Sequence, residues 1–489
     1  MISIMGGPGQ VLQESDMDVI SLEFILFVII TFALYRIIPA RSRWLVLLGA
    51  SLYFYYTYSI TYLFILLAVS VVSFLAARLL GRHRDKKADR AVLAIAVAVL
   101  AGILVYFKYL NFIIENINQF AEAVHQGKRL AVLNIVLPVG MSFYIFSAVS
   151  YLVDVYMKAD EPEINLGHFL LYMIYFPKLL AGPIERSETF LKQINAPGAF
   201  HYSDGSLGMR KILWGCFQKI AIANVLAKYV NAVYSNLQGN SGGALLLASL
   251  FFTIEIYCDF SGYSDIAIGV SHLFGIQLMD NFHSPYFSVS VRDFWSRWHI
   301  SLSTWLRDYI YIPLGGNRCS RGRNYLNLLI TFLFSGLWHG ASWTFIAWGG
   351  IHGIMQIVEK ATSGRKKYAT CVVWCRRLFV FLFVNFAWIF FRAASFADAW
   401  YLIKHVFTVT SFSEYFANTM GIMNIDLAAI VACVIILAAF DYFSLQKNVF
   451  VAMNSWKKPV RWIAYLILVW LILYMIPLAG SAPFIYSNF

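Results

Sequence analysis

FSGLWHGASWTFIAWGGIHG, residues 334–353, contains no Asp, Glu, Lys or Arg. An uncharged run rich in tryptophan belongs in a bilayer rather than in a soluble core. Gly336 and Gly340 stand four residues apart around His339, and Gly349 and Gly353 around His352. Small residues at that spacing let two helices approach closely. The apolar runs 325–340 and 342–360 are short for spans. Together they read as a helical hairpin, with His339 near its external end or at a break inside it. Histidine suits proton transfer near neutral pH, whereas a hydrogen-bonded packing histidine is the plainer alternative.

The rest of the chain agrees with a membrane setting. Its 489 residues are 60% hydrophobic and 13% charged. A soluble protein carries about 25% charged residues. Disorder and a basic soluble nucleic-acid-binding domain are excluded on that ground. Ten further apolar runs fall at 20–38, 44–58, 60–80, 91–115, 132–156, 211–235, 243–262, 371–394, 425–444 and 462–480. Two more, 168–184 and 264–279, hold Pro or polar residues and read as re-entrant segments. The expected class is all-α and polytopic.

Charge orients these spans. Lys and Arg cluster at Arg36/Arg41/Arg43, Arg82–Arg90, Arg318/Arg321/Arg323, Arg365/Lys366/Lys367 and Lys447–Arg461. Placing all five inside puts both termini outside. Loop 116–131 is then external despite Lys128 and Arg129. The first 18 residues are acidic, with Glu14, Asp16 and Asp18, and do not read as a signal peptide. The six cysteines form no CxxC pair, so neither a zinc site nor a disulfide framework is expected.

Residues 281–325, NFHSPYFSVSVRDFWSRWHISLSTWLRDYIYIPLGGNRCSRGRNY, differ from everything around them. They carry too many charges to span and too many aromatics to be a solvated loop. Periodicity from Val291 to Tyr311 predicts one amphipathic helix. It groups Phe294, Trp298, Trp305 and Tyr309 against Arg292, Asp293, Arg297, Arg307 and Asp308. Pro313 ends it before a Gly-Gly-Asn turn. Asp259 and Asp265 lie in or beside an apolar run, where a carboxylate needs a cavity or a partner. Arg297 or Arg307 is the expected partner, and a structural ion pair is the plain alternative. His299 is the second candidate for proton chemistry. His168 and His201 are expected in solvated loops, with His83 and His125. No metal, nucleotide or GxSxG motif is found.

Two stretches, 292–318 and 335–353, resemble the signature of the membrane-bound O-acyltransferases. They read RDFWSRWHISLSTWLRDYIYIPLGGNR and SGLWHGASWTFIAWGGIHG. LPVGMSFYIFSAVSYLVDVY (137–156), YFPKLLAGPIERSE (175–188) and YCDFSGYSDIAIG (257–269) are similar to the bacterial polysaccharide branch. The pattern is similar to the alginate and peptidoglycan O-acetyltransferases. It is less similar to the D-alanyl transferases of lipoteichoic acid, which usually lack a counterpart of Ile312–Arg318.

The resemblance implies a ring of about 11–12 transmembrane helices, with re-entrant and interfacial helices, around a thin centre. It implies a single membrane domain over 1–489, with N-terminal spans 20–160, a core 165–360 holding the hairpin 325–360, and C-terminal spans 371–489. It places the family histidine at His339 and the second at His299. The implied reaction passes acetyl from cytoplasmic acetyl-CoA to a partner or to a cell-envelope polysaccharide hydroxyl. His339 would be the base. His299, Trp338, Ser342 or a backbone N–H would face the oxyanion. Arg318, Arg321 and Arg323 can steer coenzyme A phosphates or simply mark the inside. Asp259, Asp265, Arg297 and Arg307 are further candidates for substrate contact. The implied setting is a bacterial cytoplasmic membrane, with lipid around the chain and an SGNH-type acetyltransferase as partner. No nucleic acid, metal or bound cofactor is expected. Acyl transfer from a carrier protein, a transporter and a non-catalytic scaffold are the alternatives.

Overall fold

The computed structural model describes residues 17–81, 86–124, 129–196, 201–362, 369–408 and 424–479. The acidic stretch up to residue 16, His83, His125, Lys128 and the 365–367 basic cluster lie outside them, as do Arg82 and Arg84. Every regular element among the described residues is helical. The chain divides into two compact units.

The first unit holds residues up to His201 and Val270–Leu278. Its helices are α1 (Leu22–Ile37), α2 (Arg43–Tyr58), α3 (Ile60–Leu80), α4 (Lys86–Leu104) and α5 (Leu110–Ala123), then α6 (Met141–Tyr156), α7 (Leu166–Ile174), α8 (Phe176–Leu179) and α9 (Ser187–Asn195). A π-helical turn, Val105–Tyr109, fuses α4 to α5 in one rod of 38 residues. Residues 116–123, read from sequence as loop, therefore continue a helix. The run 132–156 is helical only from Met141, because Pro138 and Gly140, whose φ is 74°, hold the chain before it out of the helix. The segment 168–184 breaks between α7 and α8 at Tyr175, two residues ahead of Pro177. His168 is not in a loop; it lies in α7 with its ring 4.6 Å from Trp44.

The second unit holds Tyr202–Gly269 and, among the described residues, those from Met279 to 479. α10 (Tyr202–Cys216) passes through a π-helical turn, Phe217–Ala223, into α11 (Asn224–Tyr234). α12 (Gly242–Leu273) is one helix of 32 residues. The break expected at 264 does not exist, because Asp265 is neutralised by Lys211 at 3.0 Å and need not leave the helix. Next come α13 (Val291–Trp295), α14 (Ile300–Leu306), α15 (Arg321–His339), α16 (Trp343–Thr362) and α17 (Thr370–Arg392). The chain ends in α18 (Phe396–His405), α19 (Asn424–Ser444), α20 (Val449–Ala452) and α21 (Lys458–Met475).

Among the described residues, six helical segments are long and apolar enough to cross a bilayer: Ile60–Leu80, Lys86–Ala123, Gly242–Leu273, Thr370–Arg392, Asp426–Ser444 and Lys458–Met475. The remaining apolar runs form shorter or more polar helices. A helix of 16 residues such as α1 rises about 24 Å, less than the roughly 30 Å of a hydrocarbon core, and crosses only a thin one.

Candidate active site

The helix expected over 291–311 is two short helices with a break between them. Ser290 caps α13, accepting from the Asp293 N–H at 2.9 Å. Glu359 of α16 takes two more free N–H groups, those of Val291 at 2.7 Å and Arg292 at 3.0 Å. α13 then ends at Trp295, and α14 starts only after His299, whose φ is 42°. The aromatic side is nonetheless as expected: Phe294, Trp298 and Trp305 are buried, while Arg292 and Arg307 are exposed.

α15 and α16 form the hairpin. Gly336 meets α16 and Gly349 meets α15; a β-carbon at either would strike the carbonyl of Phe345 or Phe332. This is the close approach that the glycine spacing predicts. His339 is the last residue of α15 and is 2% exposed. Its ring lies edge-on to Trp338 at 4.9 Å, to Trp348 at 5.0 Å and to Phe391 of α17 at 5.3 Å. Trp348 also contacts a second histidine, His352, at 5.1 Å. Trp388 of α17 stacks on Trp348 at 5.6 Å. His339 is thus a desolvated imidazole in an aromatic wall.

His299 is fully buried. Its ring is 6.2 Å from Trp338, and Phe260 of α12 meets it edge-on at 4.6 Å. It lies outside the spanning helices, and burial pushes its pKa down to about 3, so the ring is neutral. The structure therefore groups His339, Trp338 and His299, with the Trp338 indole 4.9 Å from one imidazole and 6.2 Å from the other. Ser342 follows in the turn, but its hydroxyl is engaged with Thr344, accepting from the Thr344 N–H at 3.3 Å to cap α16.

The other candidates are placed differently. Neither aspartate pairs with Arg297 or Arg307. Asp259 pairs with Lys219, and Asp265 with Lys211, which also holds Asp280 at 2.9 Å. Arg297 pairs with Asp293 and Arg307 with Asp308, each at 2.7 Å. Sequence neighbours satisfy the arginines, so none is left for α12. Arg318 is exposed in the loop after α14. The sequence marked His352 only by its glycine flanks. The structure adds that it accepts from the Trp295 indole N–H at 3.2 Å, which no local pattern shows. Among the described residues no His, Cys, Asp and Glu group is placed to hold a metal.

Comparison with known proteins adds to this geometry. The model of the membrane-bound O-acyltransferase family matches residues 50–400. The chain is 37% identical over 421 residues to a probable alginate O-acetylase AlgI of Azotobacter vinelandii, covering 85% of this chain and 83% of that one. It is 34% identical over 389 residues to a peptidoglycan O-acetyltransferase of Helicobacter pylori, covering 74% and 72%. It is 27% identical over 327 residues to a teichoic acid D-alanyltransferase of Streptococcus thermophilus, covering 60% and 76%.

Proposed function

Because this chain belongs to the membrane-bound O-acyltransferase family, we propose that it passes acetyl from cytoplasmic acetyl-CoA across the membrane to a cell-envelope polysaccharide hydroxyl or a partner protein. That it is a multi-pass membrane acyltransferase follows from the family and the six apolar helices. The acetyl group is supported by the names of the relatives at 37% and 34% identity, a probable alginate O-acetylase and a peptidoglycan O-acetyltransferase.

His339 is the general base. The acceptor hydroxyl oxygen attacks the thioester carbonyl carbon, and the carbon–sulfur bond breaks. The hydroxyl proton moves to the imidazole and then to the departing thiolate. Burial of His339 in the Trp338, Trp348 and Phe391 wall supports this role, since a base stripped of water reacts without first shedding it. Arg318, Arg321 and Arg323 steer the donor phosphates, and an SGNH-type acetyltransferase completes transfer outside. The membrane is the bacterial cytoplasmic one, with both termini outside. Asp259 and Asp265 hold α12 against α10 and its π turn through their lysines.

The test is acyl transfer by purified protein in nanodiscs supplied with labelled acetyl-CoA. Label on an added partner or glycan, lost by more than about 100-fold in His339→Ala at matched folding, is the expected result. Equal labelling in both proteins overturns the role of His339. No labelling until an acyl carrier protein is supplied moves the chain to D-alanyl-type transfer, the activity named for the 27% relative.

A further inference from the structure

His299 holds a backbone conformation that a β-carbon disfavours, with φ 42° and ψ 57°. Residues 281–283 fix it there. The Asn281 carbonyl accepts from the Ile300 N–H, and the Arg297 carbonyl accepts from the His283 N–H, each at 3.0 Å. These two bonds bracket His299.

The Asn281 side chain continues the clamp. Its Oδ1 accepts from the Ser301 backbone N–H at 3.3 Å. A backbone N–H only donates, so that atom is the amide oxygen. The amide nitrogen donates in the opposite direction, to Ser264 Oγ on α12 at 3.2 Å. The Ser301 hydroxyl lies 2.7 Å from the same Asn281 oxygen and 3.4 Å from His299 Nδ1. A hydroxyl has one proton, and Asn281 Oδ1 has none to give. Ser301 therefore donates to Asn281 and offers a lone pair to His299. A nitrogen facing that lone pair gains a bond only when it carries the hydrogen.

We propose that Asn281 and Ser301 are positioning residues that hold His299 as its Nδ1–H tautomer and so present Nε2 as a proton acceptor. The catalytic meaning rests on the acyl-transfer reading above; the tautomer does not. With a lone pair at Nε2, His299 cannot donate to a developing oxyanion there. At that nitrogen it can only accept, as from a hydroxyl or a thiol that donates to it. That separates two of the roles that the sequence leaves open, and returns the oxyanion to the indole and backbone donors.

The experiment is nitrogen NMR on histidine-labelled protein in nanodiscs, with the His299 signals assigned by their loss in His299→Asn. The expected wild-type result is a protonated Nδ1 and an unprotonated Nε2. Ser301→Ala should populate the other tautomer. It should lower kcat for acyl transfer roughly 10- to 100-fold with little change in donor KM. Ser301→Thr, which keeps the hydroxyl, should restore both readouts. A protonated Nε2 in the wild type overturns the proposal, and this needs no variant to fold. An unchanged tautomer in Ser301→Ala also overturns it, whatever happens to kcat. Failure of the wild type to transfer acyl groups from any donor would instead count against the function, leaving the tautomer measurement to decide the clamp.

Discussion

Lys219 and Asp259 are almost sealed from solvent, at 1% and 2% exposure. Each charge compensates the other. Removing one strands its partner, which costs about 3–5 kcal/mol, whereas removing both for apolar side chains can be nearly neutral. Lys219→Met should therefore lower the thermal midpoint in detergent sharply. Lys219→Met with Asp259→Leu should recover most of the loss. A double variant as unstable as the single one would show that the pair does more than neutralise itself. Reading the sequence marked both aspartates of α12 as needing partners and chose the wrong cations. The lysines lie 40 and 54 residues away, inside a run that counts as apolar despite them. Hydropathy sums over a window, so it hides a charge whose counter-charge comes from another helix.

Helix pairing and helix breaking differed in how far sequence could reveal them. The α15–α16 hairpin was legible because glycine spacing is itself the contact surface. The break in 291–311 was not. Its aromatic residues keep a 3.6-residue period straight through His299, while the interruption is imposed by residues 281–283. A pattern within one segment cannot report a clamp from a distant one. The hairpin also gives a matched pair of substitutions. At Gly349 an added side chain strikes the Phe332 carbonyl, but at Gly350 the nearest atom is 3.6 Å away in Leu333. Gly349→Val should force α15 and α16 apart, costing roughly 1–3 kcal/mol or more in stability and most of the acyl transfer. Gly350→Ala should leave the thermal midpoint within about 1 °C of wild type. Equal tolerance at the two sites would mean that the close approach is not needed.

Across the whole molecule, sidedness is the property that transfer across a membrane needs. By the positive-inside rule, the basic clusters of the sequence at 318–323 and 365–367 predict a cytoplasmic position for both. Cys319 lies beside the first of these clusters and is exposed. A membrane-impermeant maleimide added to intact cells should leave it unlabelled, and permeabilised cells should label it. Labelling in intact cells would invert the orientation and with it the direction of acyl transfer. The six long apolar helices were legible from composition, whereas the shorter runs gained their helical form from packing. Fields also act at the scale of single turns. His339 ends one helix of 19 residues, and four residues later Trp343 begins another. A helix carries about half a negative charge at its C-terminal end and half a positive charge at its N-terminal end. The turn therefore sets two opposite dipole ends side by side. One favours a proton arriving on the imidazole, and the other favours negative charge arriving nearby. An ester-forming step produces both charges together, so this short turn is electrically prepared for charge separation before any substrate arrives.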